Sequence, residues 1–209
     1  MKNNEQIIAE CKKKIQQEAD ALIRICDQVD DAYAQAVEAI LNCKGHVIIT
    51  GLGKTGHVGK KIAASFASLG TKAFFVHSCE SLHGDMGMIA PEDVVIMISN
   101  SGKSQEILNM LPPLKIIGAK TISITKAKDT PLALGTDIAI CVNAGQEIDH
   151  MGGLAPTTSS TAALAVGDAL ATVVSELKGF TRNDFALSHP GGALGQQLLK
   201  EYTERIAQK

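Results

Sequence analysis

Five short, mostly apolar runs, His46–Thr50, Ala73–Val76, Val94–Ile98, Thr121–Thr125 and Ile138–Val142, recur along the chain with helix-length segments between them. Such runs carry few charged or strongly polar groups to turn to water, so each reads as a strand buried in a covered sheet. The segments between supply the cover. Strand–helix alternation builds a parallel sheet, because a parallel connection needs a dozen or more residues to return. The expected fold is therefore α/β, a five-stranded parallel sheet in a doubly wound, flavodoxin-like sandwich. Ligands of such sheets sit beyond the carboxyl ends of the strands. The reactive residues should follow the runs, at Gly51–Thr55, His77–His83, Ser99–Ser104 and Asn143–Glu147.

Ahead of the first strand, Ile7, Ile8, Cys11 and Ile15, then Ala34, Val37, Ala39, Ile40 and Leu41, fall at helical spacing among charges. They predict one or two amphipathic helices, assigned as a helical extension (1–45) to a domain spanning 46–209. After the last strand, "APTTSSTAALAVGDALATVVSEL" predicts a helix from about Ser159, with Gly179 as its stop. Asp168 within it reads as a carboxylate tied to a neighbouring group. "SHPGGALGQQLL" then leads through a loop into a final helix.

With 209 residues and 45% hydrophobic content, the chain can fill one ordinary core. A formal charge of −2 and a pI near 6.3 supply no chain-wide basic field for nucleic acid or an anionic membrane. No uninterrupted apolar stretch reaches the roughly 18 residues of a membrane span, and "MKNNEQIIAECKKK" lacks a signal peptide's apolar core. The five cysteines are scattered without a Cys-x-x-Cys pair and read as reduced thiols. The expectation is a cytoplasmic protein that handles a small ligand.

Two stretches bear on that ligand. In "ISNSGKSQE" (98–106), Gly102-Lys103-Ser104 looks like the end of a nucleotide P-loop, but the glycine required five positions earlier is Met97. A smaller phosphate still fits, with Ser99, Ser101 and Ser104 gathered where a helix begins near Gln105. The competing explanation is that Ser101 or Ser104 only caps that helix. In "TGLGKTG", Gly51, Gly53 and Gly56 have the dinucleotide-binding spacing directly after a strand. That fingerprint expects an acid at the end of the second strand, where this chain has Val76-His77-Ser78, and Lys54 would crowd a pyrophosphate. Cys79, His77, His83 and Asp85 are metal-binding residue types, but their spacing matches no standard zinc site. Glu106 is the best-placed carboxylate for proton transfer, against an alternative as a solvated first-turn glutamate.

Together, "GLGKTGHVGKKIAASFASLGT", "FFVHSCESLHGDMGMI", "ISNSGKSQEI", "GLAPTTSSTAALAVGDALA" and "FTRNDFALSHPGGALGQQLL" closely resemble the sugar isomerase (SIS) domain of bacterial D-arabinose 5-phosphate isomerases. The resemblance runs from about residue 30 to 200. It implies interconversion of D-arabinose 5-phosphate and D-ribulose 5-phosphate through an enediol, feeding Kdo synthesis for lipopolysaccharide, with no cofactor. The catalytic positions it implies are Lys54, His83, Glu106, Glu147 and His189. The substrate-binding set is Gly53, Thr55, Gly70, Thr71, His77, His83, Ser99, Asn100, Ser101 and Ser104, and His77 stands where the family takes up an inhibitory zinc. SIS domains commonly assemble, so a homotetramer with shared active sites is expected.

The sequence departs from the family pattern in two places. Many members continue into a pair of CBS modules, while this chain ends at Lys209, so the nucleotide-sensing regulation those modules imply is expected to be missing. Where the family commonly reads Glu-Ala-Cys-Pro before Leu-Ala-Pro, this chain has "QEIDHMGGLAP", one residue longer, in the loop that carries Glu147. Two other functions use related features. A sugar-phosphate sensor of the transcription-regulator type would add a basic helix-turn-helix, and the first 45 residues show neither a sharp turn nor an arginine cluster. An NAD(P)-dependent oxidoreductase would need the missing strand-end acid.

Overall fold

The structure, a computed structural model, describes residues 2–207. Strands β1 (Val47–Gly51), β2 (Ala73–His77), β3 (Val94–Ile98), β4 (Lys120–Thr125) and β5 (Ile138–Cys141) form one all-parallel sheet in the order β2-β1-β3-β4-β5. Each agrees with its expected run to within one residue at either end. Alternate side chains of the strands divide the core into two layers. On one face Val47, Ile49, Ile96 and Ile122 pack against helices α2 (Asp31–Asn42), α3 (Gly53–Ser68) and α8 (Thr158–Leu177). On the other, Ile48, Val95 and Met97 meet the short helices α5 (Gln105–Leu108), α6 (Leu111–Ile117) and α7 (Pro131–Gly135) through Ile107, Met110, Leu114 and Leu132. Helix α4 (Ser78–Ser81) follows β2, and α9 (Arg182–Ser188) and α10 (Ala193–Ala207) close the chain.

Two expectations need correction. The amino-terminal segment contains a turn: helix α1 (Asn4–Cys26) ends there, and Asp30 caps α2 by accepting from the Ala32 N–H. Asp27 and the Asp30-Asp31 pair carried the signal. Nor is 1–45 a body apart from 46–209. Ala21, Ile25, Ala36 and Ile40 are buried in the same cluster as the strands, because an amphipathic helix is stable only where its apolar stripe finds cover. By length and composition α8 would pass for a membrane span. It is instead a central helix of the core, burying Ala162, Val166, Leu170 and Val174, and its Gly167 lets Ile62 of α3 approach closely.

The dinucleotide-like glycines have a packing role. A Cβ on Gly56 would lie 3.1 Å from the Gly51 carbonyl oxygen, and Gly53 has a φ of +57°. Together they let α3 turn back tightly against β1.

At the amino ends of the strands, buried Asp93 accepts from the backbone N–H groups of His46 and Ala90, both at 2.7 Å. Asp93→Ala strands both donors and is expected to lower stability by about 1–3 kcal/mol in urea unfolding, with Asp93→Asn losing less. Ligand binding at the opposite end of the sheet should be unchanged.

Candidate active site

The connection from β1 runs to β2 on one side of the sheet, while β3 and β4 continue on the other. Adjacent strands whose connections leave in opposite directions open a crevice beyond their carboxyl ends. Gly51 pairs with Ile98 across the sheet and with His77 on its other side, so the turns after β1, β2 and β3 start level with one another. These turns hold most of the expected site: Gly53, Lys54 and Thr55; His77 and His83; Ser99, Asn100, Ser101, Ser104 and Glu106.

The turn after β3 is built around Gly102. Its φ of +62° and its closeness to Thr130, 2.5 Å from where a Cβ would stand, leave no room for a side chain. Its N–H reaches the Ser99 carbonyl at 3.1 Å and the Ser99 Oγ at 3.2 Å. Ser104 occupies the cap position of α5 but makes no side-chain capping bond; its hydroxyl lies 3.3 Å from that of Ser99. Ser101 Oγ accepts from the Lys103 N–H. The simple capping explanation therefore fails, and three hydroxyls line one turn. Two further charged groups stand close in sequence to the turns. Glu106 is half-buried in the first turn of α5, and among the described residues no hydrogen bond or ion pair engages its carboxylate. Lys54 is exposed in the first turn of α3, where a cation opposes the helix dipole by about 0.3–1 kcal/mol. A charge set against its local field, with no acidic partner among the described residues, is available to a ligand.

Glu147 has a second occupation. Its Oε2 accepts from the Thr157 N–H at 2.7 Å, the Thr157 hydroxyl at 3.0 Å and the Ser159 N–H at 3.2 Å, so it caps α8. Burial pushes its carboxyl up, but the hydrogen bonds from Ser159 and Thr157 outweigh that and hold it below the ordinary range. It is an anion at neutral pH. The longer loop is organised by Asp149, which accepts from the N–H groups of Met151 (2.7 Å), Gly153 (3.1 Å) and Ala155 (2.7 Å). Arg24 of α1 donates to the Ala144 carbonyl, and Gln28, in the turn after α1, exchanges two bonds with the Asn143 backbone, pinning the start of this loop.

His77 caps α4, its Nδ1 accepting from the Cys79 N–H at 3.3 Å, so in the neutral ring Nε2 carries the hydrogen. Among the described residues no three His, Cys, Asp or Glu side chains gather into a metal set, so Cys79, His77, His83 and Asp85 do not converge. Sequence reasoning missed Thr125 and Ser159, which join Thr55 and Asn100 in lining a narrow crevice at the strand ends. Next to Ser159, Thr158 is 2% exposed and its buried hydroxyl has no protein partner among the described residues. The "TTSST" run was the available signal, but it reads equally well as a helix start.

Gly70, Thr71 and His189 are not brought to this end. They lie at the amino ends of the strands, about 24 Å away by the length of α3 (16 residues). Helix α3 separates them: Gly70 follows its last turn against Phe180, Thr71 accepts from the Lys178 ammonium, and His189 touches Ser68. The resemblance supplied residue identities without a location, and one chain's sheet has its two ends a helix length apart.

The chain belongs to the SIS-domain family, whose domain matches residues 40–173. Within the family it is similar to the arabinose 5-phosphate isomerases KdsD. That of Yersinia pestis is 49% identical over 188 residues, 90% of this chain and 57% of the relative. That of Pseudomonas aeruginosa is 47% identical over 199 residues, 95% of this chain and 61% of the relative. The chain thus spans less than two thirds of these relatives' length. Escherichia coli CFT073 c3406, solved in complex with arabinose 5-phosphate, matches with a TM-score of 0.88 and 44% identity, covering 90% of this chain and 100% of that one.

Because Glu147 titrates below its ordinary range, the stability it contributes is complete above about pH 4.3 and is lost as pH falls through the lowered value. Glu147→Gln should be less stable than wild type by about 1 kcal/mol at pH 7, the difference between charged and neutral acceptors. Urea unfolding repeated at falling pH should show that gap closing below about pH 4.

Proposed function

We propose that this chain is an aldose–ketose isomerase interconverting D-arabinose 5-phosphate and D-ribulose 5-phosphate through an enediol. What carries the reading is one juxtaposition: a serine-lined turn at the carboxyl end of β3, with a carboxylate, Glu106, unengaged among the described residues, in the first turn of the helix that follows. Similarity to the KdsD isomerases and to a structure holding arabinose 5-phosphate supports the choice of sugar. In this mechanism Ser99, Ser101 and Ser104 hold the phosphate, with Gly53, Thr55 and Asn100 beside them. Glu106 exchanges the proton between C1 and C2, Lys54 offsets the charge that develops on the enediolate oxygen, and His83 and His77 meet sugar hydroxyls. Glu147 stays ionised and shapes the loop over the sugar rather than donating a proton. The product would feed Kdo synthesis, as the family resemblance implies, and five free cysteines fit a reducing cytoplasm.

The reading needs more than one chain. Gly70, Thr71 and His189 serve a sugar only if they belong to a neighbour's site, which the expected homotetramer with shared active sites supplies. An apolar groove of about 560 Å³ between α2 and α8, lined by Val29, Tyr33, Val37, Leu41, Val173 and Leu177, offers a face for assembly.

Incubation with arabinose 5-phosphate should yield ribulose 5-phosphate. Glu106→Gln should lower turnover roughly 10²-fold while affinity changes less than about tenfold. Ser101→Ala should do the reverse, weakening binding more than saturated turnover. Normal exchange of the C2 proton with deuterated solvent in Glu106→Gln would remove Glu106 from the mechanism.

Sharing is tested separately by co-expressing Glu106→Gln with His189→Asn. Random assortment restores about a quarter of the sites to wild-type composition if each draws on two chains, and activity should reappear accordingly. Two inactive variants that stay inactive together would place both groups in one chain's site.

A further inference from the structure

The first three turns of α1 stand off the body of the protein. From Lys2 to Lys13 every residue is exposed, and burial begins only near Lys14, reaching the core at Ala21 and Ile25. The capping box of Asn3 and Gln6 starts the helix well, yet about a dozen residues without packing make a marginal helix in water. Ile7, Ile8 and Ile15 are 49%, 55% and 71% exposed. They are not scattered. Asn4, Ile8, Cys11 and Ile15 recur at alternating steps of four and three, the seam of a two-helix coiled coil. Ile7 and Lys14 run along one flank of that seam, Glu5 and Lys12 along the other. The seam continues through Glu18, Leu22 and Ile25, but there the body of the chain takes it over: Glu18 accepts from the Thr161 hydroxyl at 3.0 Å, and Ile25 is buried. The uncovered part therefore ends at Ile15.

We propose that this seam is a self-association surface, covered by the same three turns of a second copy running antiparallel. The charges choose the arrangement. In an antiparallel pair like flanks face each other, so setting Ile8 against the second copy's Cys11, and Asn4 against its Ile15, brings Glu5 beside the second copy's Lys12. The two-fold symmetry repeats that ion pair. Both charges are free for it: no charged residue stands three or four positions from Lys12, and the other nearby acid, Glu10, is paired with Lys2 at 3.4 Å. Ile7 then lies along the stem of the second copy's Lys14. A parallel pair would face unlike flanks, setting Lys12 against Ile7 and leaving Glu5 without a cation. Sliding the antiparallel pair by a heptad would push Ile8 against Glu18, which Thr161 already engages. In the register chosen here the two bodies lie at opposite ends of the helix pair, so neither blocks the contact. Three turns bury less than the roughly 800 Å² per partner of a stand-alone interface, so the pair ties together copies that also meet elsewhere, for which the groove between α2 and α8 is a suitable face. The surface goes beyond the isomerase reading and does not rest on it.

Cysteine cross-linking in the full chain tests the register. On mild oxidation Ile8→Cys should form a reducible dimer whose linked peptide, read by mass spectrometry, joins the new thiol at position 8 to Cys11. Ala9→Cys, equally exposed but off the seam, should form no more dimer than wild type. No dimer with Ile8→Cys, a similar yield through position 9, or a wild-type link between two Cys11 thiols overturns the proposal. Charge reversal supplies the second readout. In sedimentation equilibrium at low salt Lys12→Glu should weaken self-association about tenfold, and Glu5→Lys combined with Lys12→Glu should restore most of it. Equal association in wild type and Lys12→Glu, a double variant no better than the single one, or a wild-type chain that stays monomeric would sink it. Turnover of arabinose 5-phosphate decides the isomerase reading separately, because none of these residues lines the crevice at the strand ends.

Discussion

The level pairing of Gly51 with His77 and Ile98 is the constraint on which the rest of this structure depends. It starts three turns from the same height at the one place where the chain reverses its direction of travel across the sheet. A slip in that register would separate the serine turn from Lys54 and reverse the faces of every side chain in the moved strand. The close approach of α3 to β1, which Gly51 and Gly56 permit, sets how far the first turn projects. Spacing that serves dinucleotide binding elsewhere here serves backbone packing. Fold geometry thus depends on a few positions where a side chain would not fit.

The loop after β5 shows a different economy. Beyond the buried Val142 and Ala144 it is held by polar contacts: Asp149 gathers three backbone donors, Glu147 caps α8, and Arg24 of α1 and Gln28 of the turn after it reach over. The amino-terminal helices therefore do more than cover the sheet. One of them fastens the loop that borders the site, which ties residues at the start of the chain to chemistry at its middle. Gly152 and Gly153 both adopt positive φ within this loop, a conformation glycine takes without a side-chain clash.

Much of the fold was legible in the sequence, because a strand covered on both faces carries almost no charge and so announces itself as a short, mostly apolar run. The strand bounds, α8 and its end near Gly179 follow from that and from helix periodicity. The turn near Asp30 was missed because a short polar break between two amphipathic helices looks like one more polar face. Within the site, Ser99, Ser101, Ser104 and Glu106 were readable because they crowd together directly after a strand. Thr125 and Ser159 were not, since each is an ordinary residue locally and joins the crevice only through what the fold sets opposite it.

By itself the sequence determined the layers, the strand directions and the end of the sheet at which the serine turn stands, since all three follow from local pattern and connection length. Only the tertiary structure decided that the amino-terminal helices share the main core, that Glu147 serves as a helix cap, and that Gly70, Thr71 and His189 stand at the far end of α3 from the serine turn. These are matters of distance between segments remote in sequence. Hydrophobic periodicity reports how a residue relates to its neighbours within a turn or two, and carries no measure of the 24 Å or so that a 16-residue helix interposes.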